Sequence, residues 1–173
     1  MALVFQYGSN ASSERLNSAE RLVGVATAVG LVRTKECFDL SFSHFSSCNQ
    51  CATVDLVHNG SRQIYGVLYE IPDNRVYRSC SVGPKTLDEI EGECSAYYRA
   101  RIPVVMAASP HESHEAITYF VKSPSAGIKT NAEYVGHIIK GLRDHHAPDD
   151  YVRYVKERAI ENNPHLVSEL DEM

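Results

Sequence analysis

Apolar residues recur along this chain in short runs rich in Val, Ile, Phe and Tyr, the side chains that fit a pleated, half-buried surface. The runs predict strands at Leu3–Phe5, Val23–Val32, Phe38–Phe45, Ala52–Val57, Ile64–Ile71, Tyr97–Val105 and Ala116–Val121. His58-Asn59-Gly60-Ser61 carries the Asn-Gly signal of a tight hairpin between two of them. Pro72-Asp73-Asn74 ends the strand that holds Tyr65-Gly66-Val67-Leu68-Tyr69. Pro103 interrupts another and predicts an edge or a bulge there.

Helical periodicity comes late. Thr130 to Glu133 has capping-box spacing, and Tyr134, His137, Ile138, Gly141 and Leu142 then share one face. Pro148 suits a first helical position, followed by Asp149 and Asp150. Tyr151, Tyr154, Val155, Arg158 and Ala159 line one side of this last helix, which Asn162-Asn163-Pro164 stops. Tyrosines exposed on that helix would permit a homodimer. Strands first and helices last predict an α+β fold with a curled antiparallel or mixed sheet. Residues 1–165 read as a single domain, and the acidic tail 166–173 is expected to fray.

Composition narrows the partners. The chain has 173 residues, 43% of them hydrophobic and 23% charged, as is usual for a globular domain. A net charge of −5 with scattered Lys and Arg argues against nucleic acid. No apolar stretch is long enough to span a bilayer, and the N-terminus lacks the pattern of a signal peptide, so a cytoplasmic protein is expected. Cys37, Cys48, Cys51, Cys80 and Cys94 are odd in number and unevenly spaced, which predicts unpaired thiols. Cys48-Asn49-Gln50-Cys51 has no second half that would complete a zinc site. His111, His114, His145 and His146 lie in polar stretches without convergent carboxylates, and no metal is expected.

Two places carry candidate chemistry. The first apolar run ends in Tyr7-Gly8-Ser9-Asn10, just before a helix start at Ser12–Leu16. Gly8 allows close approach, Ser9 and Asn10 suit a helix cap, and the turn would offer backbone N–H groups to an anion. Alone, it equally fits an ordinary strand-to-helix turn. The second place is a short helix from Thr86, with capping-box spacing to Glu89 and a glycine stop at Gly92. Leu87, Ile90 and Glu91 share a face, so Glu91 is carried inward while Asp88 and Glu89 fall nearer solvent. A carboxyl drawn toward apolar surroundings gains proton affinity, the tuning a general acid/base requires. Pairing of Glu91 with an arginine such as Arg99 is the structural alternative.

Taken in order, Tyr7-Gly8-Ser9-Asn10, Tyr65-Gly66-Val67-Leu68-Tyr69 and Leu87-Asp88-x-x-Glu91-Gly92 with Tyr98 after it resemble the γ-glutamylcyclotransferase family, over Leu3 to about Ala159. The resemblance implies a small mixed β-barrel flanked by helices, a γ-glutamyl small molecule as substrate, and no metal or organic cofactor. It implies Glu91 as the catalytic acid/base. Tyr7, Gly8, Ser9 and Asn10 would hold the glutamyl end, and Tyr98, Tyr119 and Tyr134 would line the pocket. Ser41–Cys51 has no counterpart in that pattern and is expected on the leaving-group side. A non-catalytic relative that binds a small carboxylate or a partner is the alternative reading.

Overall fold

The computed structural model describes residues 1–78 and 83–173, so Cys80 lies outside the described residues. The strands among them are β1 (Ala2–Gln6), β2 (Thr27–Thr34), β3 (Phe38–Ser46), β4 (Cys51–His58), β5 (Tyr65–Ile71), β6 (Tyr97–Met106) and β7 (Ser113–Val121). The helices are α1 (Ser13–Leu16), α2 (Asp73–Val76), α3 (Leu87–Glu91), α4 (Ala132–Asp144), α5 (Asp149–Ile160) and α6 (Val167–Asp171), with 3₁₀ turns at Ser9–Ala11 and Pro164–Leu166.

Five strands close a barrel in the order β1-β5-β2-β6-β7, with β1 lying parallel to β7 at Val4 and Ile117. The other ladders are antiparallel, so the sheet is mixed and the α+β barrel expectation holds. Alternation along each strand divides the interior in two. Val4, Val67, Tyr69, Ile117 and Tyr119 join one core with Leu16, Leu22 and Leu87. Phe5, Leu68, Val104, Ala116 and Phe120 join the other, with α4, α5 and the β3–β4 ribbon. The β2 strand begins later than its apolar run, because the chain turns through positive φ at Val23 and Gly24. Pro103 sits where the β2–β6 ladder ends, Thr34 and Val104 being its last pair.

One expectation fails on topology, and packing bears on two more. The segment His58–Ser61 is not a hairpin, since β4 pairs with β3 in a separate ribbon while β5 pairs with β1 and β2. The tail segment is packed, with Leu166 and Leu170 3% and 0% exposed within the core. The tyrosines expected to be exposed on α5 pack inward: Tyr151 is buried, and the Tyr154 hydroxyl accepts the Leu40 N–H of β3.

Helix α4 fixes the position of the loop after β1. Asn131, rather than Thr130, caps it by accepting the Tyr134 N–H at 2.8 Å. Tyr134, Val135, Ile138, Ile139 and Leu142 are buried along it, each worth roughly 2 kcal/mol of removed apolar surface. Gly141 brings the helix onto the segment after β1: a Cβ there would fall 2.3 Å from the Ala11 carbonyl carbon.

Candidate active site

The chain leaves β1 at Gln6 and turns through Tyr7 and Gly8 into the 3₁₀ turn Ser9–Ala11. Ser12, not Ser9 or Asn10, then caps α1. This frees Asn10 for another task. Its amide Nδ2 donates to Glu91 Oε1 at 2.8 Å, and its Oδ1 accepts from the Arg21 guanidinium at 3.0 Å. The loop and the short helix, 81 residues apart in sequence, are thus joined by one amide.

Helix α3 forms as its sequence predicts. Thr86 and Glu89 make a reciprocal capping box, and Gly92 ends the helix in the left-handed region at φ 67°. In so short an element, what it packs against decides which residues point inward. Glu91 does face the pocket, but Asp88 is also buried, against the expectation that it lies nearer solvent. Asp88 accepts hydrogen bonds from the Tyr119 hydroxyl at 2.8 Å and the Arg78 N–H at 2.8 Å, and forms an ion pair with Arg99. Arg99 is therefore committed to Asp88 and leaves Glu91 to the loop.

A small pocket results, lined by Gln6, Tyr7, Gly8, Ser9, Asn10, Val54, Glu91, Tyr97, Thr118, Tyr119 and Tyr134. The Tyr7 hydroxyl donates to the Tyr119 carbonyl at 2.6 Å, and the Tyr134 hydroxyl accepts the Val54 N–H at 3.2 Å beside Gly8. Seven of the eight residues expected at the site therefore converge on it. Tyr98 does not. It points away from the pocket, 39% exposed and stacked on Phe120, and Tyr97 takes the inward place, sharing a 2.6 Å hydrogen bond with Thr53. Neighbours on a strand face opposite sides, and a count of residues from Glu91 does not fix which one faces in.

The electrostatics separate Glu91 from the hydroxyls. Burial raises the proton affinity of Glu91 above the usual carboxylate range, moderated by the Asn10 amide and the Arg21 charge. Burial also raises the phenols of Tyr7, Tyr97 and Tyr119, and pushes Tyr134 to about 12, so at neutral pH all four are neutral hydroxyls. Among the described residues Glu91 is the one carboxyl lining the pocket. Among the described residues no group of three His, Cys, Asp or Glu could hold a metal ion.

Beyond Tyr134 the pocket gives way to a wider cleft of about 680 Å³, lined by Arg15, Arg21, Cys48, Asn49, Glu133, His137 and Lys140 among others. Asn49, at the tip of the β3–β4 ribbon, accepts from the Arg15 guanidinium at 2.6 Å. Among the described residues neither Arg15 nor Arg21 forms an ion pair with a carboxylate. Neither arginine carries a motif signal, and only their convergence on the cleft singles them out.

Comparison with known proteins agrees with this architecture. The AIG2-like family model matches residues 63–155, more than half of the chain. The chain belongs to the AIG2-like family. Its fold superposes on a γ-glutamyl cyclotransferase with a TM-score of 0.77 over 99% of both chains at 18% identity. An uncharacterized protein from Homo sapiens gives 0.75 at 20% identity, covering 90% of this chain and 86% of that one. An AIG2-like protein from Mus musculus gives 0.53 at 21% identity, covering 73% and 80%. No curated protein matches the sequence. The stretch matched to the AIG2-like family contains Asp88, Glu91, Tyr97, Tyr119 and Tyr134, while the Tyr7–Asn10 loop lies outside it and reaches the site through the fold. Among the described residues no helix is long and apolar enough to cross a membrane.

Proposed function

We propose that this AIG2-like protein is a γ-glutamylcyclotransferase, releasing 5-oxoproline and a free amine from a γ-glutamyl amide. The observation that carries the reading is the Glu91 carboxyl, held by Asn10 at 2.8 Å and raised in proton affinity by burial, in a pocket walled by neutral tyrosines. In such a substrate the α-amine and the γ-carbonyl belong to one residue. Attack of the amine forms the ring C–N bond, and breaking the original amide bond expels the attached amine. Holding the glutamyl chain folded back on itself supplies much of the rate, because the reaction is intramolecular. Glu91 as carboxylate takes the proton that the α-ammonium must lose, then gives it to the departing nitrogen. The loop from Tyr7 to Asn10 anchors the glutamyl end, and the tyrosine rings exclude water.

The cleft beyond Tyr134 favours one class of leaving group. Among the described residues the Arg15 and Arg21 guanidiniums form no ion pair, although Glu14, Glu20 and Glu133 line the same cleft. Such guanidiniums suit a leaving amine that itself bears a carboxylate, an amino acid rather than a polyamine. The test is incubation with a panel of γ-glutamyl amino acids and γ-glutamyl amines, with 5-oxoproline as the readout. Release from the amino acid members is expected, and Glu91→Gln should lower it by at least about 10³-fold at unchanged melting temperature. Full turnover by Glu91→Gln would refute the mechanism. Binding without turnover by the unaltered protein would instead favour a small-carboxylate-binding relative.

A further inference from the structure

Most side-chain donors around the pocket are committed to a protein acceptor. Asn10 Nδ2 is held by Glu91, the Tyr7 hydroxyl by the Tyr119 carbonyl, and the Tyr119 hydroxyl by Asp88. Tyr97 shares its hydroxyl with Thr53, and the Thr118 hydroxyl donates to the Phe5 carbonyl. Gln6 is not so committed. It ends β1 opposite Val67 of β5, is 5% exposed and lines the pocket beside Glu91. Its Nε2 is buried without any hydrogen-bond partner among the described residues. The amide is close enough to the Glu91 carboxyl to lower its proton affinity, yet not in hydrogen-bond geometry with it. A buried donor with no acceptor is costly and rare, so one that lines a binding pocket calls for an acceptor brought by the ligand.

The acceptor follows from the chemistry. Glu91 has to reach both the attacking nitrogen and the departing one, and the γ-carbonyl carbon joins those two nitrogens. A donor beside Glu91 is therefore a donor beside the oxygen on that carbon, which gains negative charge as the amine adds and loses it as the amide bond breaks. We propose that Gln6 Nε2 donates a hydrogen bond to the γ-carbonyl oxygen and stabilises the oxyanion formed there. Gln6 keeps its proton throughout, while Glu91 alone carries the transferred one. The assignment rests on the cyclotransferase reading above.

The test compares wild type with Gln6→Met, which keeps the shape and removes the donor, on the γ-glutamyl amino acid that wild type turns over best. The expected result is a kcat lower by about 10²–10³-fold, the range for loss of one oxyanion donor, with KM changed only a few-fold. The acid limb of the pH profile should move to higher pH, since the amide that lowers the Glu91 proton affinity is gone, so the loss of kcat is read on the plateau above that limb. A loss of rate that disappears on the plateau would show Gln6 acting only through Glu91 and overturn the assignment. Unchanged kcat, or a rise in KM alone, would overturn it as well. Gln6→Glu is the second variant, close in size and polarity and a donor only when protonated. It should be as slow as Gln6→Met at neutral pH and regain rate, relative to wild type, as the pH falls. A profile that matches wild type would count against the proposal. A wild type that releases no 5-oxoproline from any member of the panel removes the cyclotransferase reading and this role with it. An active wild type with an equally active Gln6→Met removes this role only.

Discussion

A carboxyl that takes a proton from an ammonium and hands it to a departing nitrogen works best when its own proton affinity lies close to the working pH. Glu91 reaches that state by burial, opposed by Asn10 and by the Arg21 charge. In the proposed mechanism Glu91 must be ionised to begin the cycle, so activity should fall as pH drops through its raised value, above the ordinary 4.5. Arg21→Met removes a charge that favours ionisation and should move this acid limb to higher pH, read from kcat/KM against pH. An unmoved limb would detach Arg21 from the proton step. A second buried carboxyl, Asp55 of β4, affects stability instead. Burial pushes it up to about 6, although the Val121 N–H donates to it at 2.9 Å. The folded state therefore holds the proton more tightly than the unfolded chain, and stability falls as pH rises from about 3.8 through about 6. Asp55→Asn should be more stable than wild type by about 2–3 kcal/mol at pH 7.5, with the gain fading toward pH 4, in urea unfolding at the two pH values. Single residues were unevenly legible. Glu91 followed from its helical face, whereas Tyr97 lost its place to Tyr98 because strand parity depends on a register that spacing cannot supply.

At the scale of elements, apolar runs located all seven described strands, and caps located α3, α4 and α5. What the runs did not contain was pairing. The Asn59-Gly60 signal marks a real left-handed turn, with φ 60° at Asn59, but the strands on either side of it join different sheets. The inward turn of Asp88 was equally hidden, since Arg99 and Tyr119, which hold it, arrive from β6 and β7. Gly141 shows how one element positions another. Alanine is favoured over glycine within a helix by about 1 kcal/mol. Here its Cβ would lie 2.3 Å from Ala11 and 2.4 Å from the Ser12 nitrogen, so helix and loop would have to separate. Gly141→Ala is expected to destabilise the protein by about 1–3 kcal/mol despite the better helix former, and to lower kcat by displacing Asn10. A thermal melt and an assay on the same sample check both, and a stabilised variant would contradict the packing argument.

Across the whole molecule, closure of the barrel joins the beginning of the chain to its later part, because β1 must meet β5 and then β7 before the Tyr7–Asn10 loop can face Glu91. The last residues belong to the same structure. Leu166 and Leu170 are spaced as i and i+4, but the acidic residues around them suggested a free tail. Deleting residues 166–173 removes two buried leucines, worth roughly 4 kcal/mol together. The melting temperature should fall by about 10 °C, by calorimetry, and a fall of under two degrees would return the segment to the status of a tail.

The β3–β4 ribbon pairs its backbone only with itself among the described strands, and its tip reaches Arg15 through Asn49. On the proposed reading, one wall of the leaving-group cleft is thus built apart from the barrel that carries the proton transfer. Insertions or exchanges between Ser46 and Cys51 could redirect the preference for a leaving amine without disturbing the barrel ladder that carries Glu91's neighbours. A lineage, or an engineer, could retune this protein at a hairpin tip and inherit the proton transfer intact.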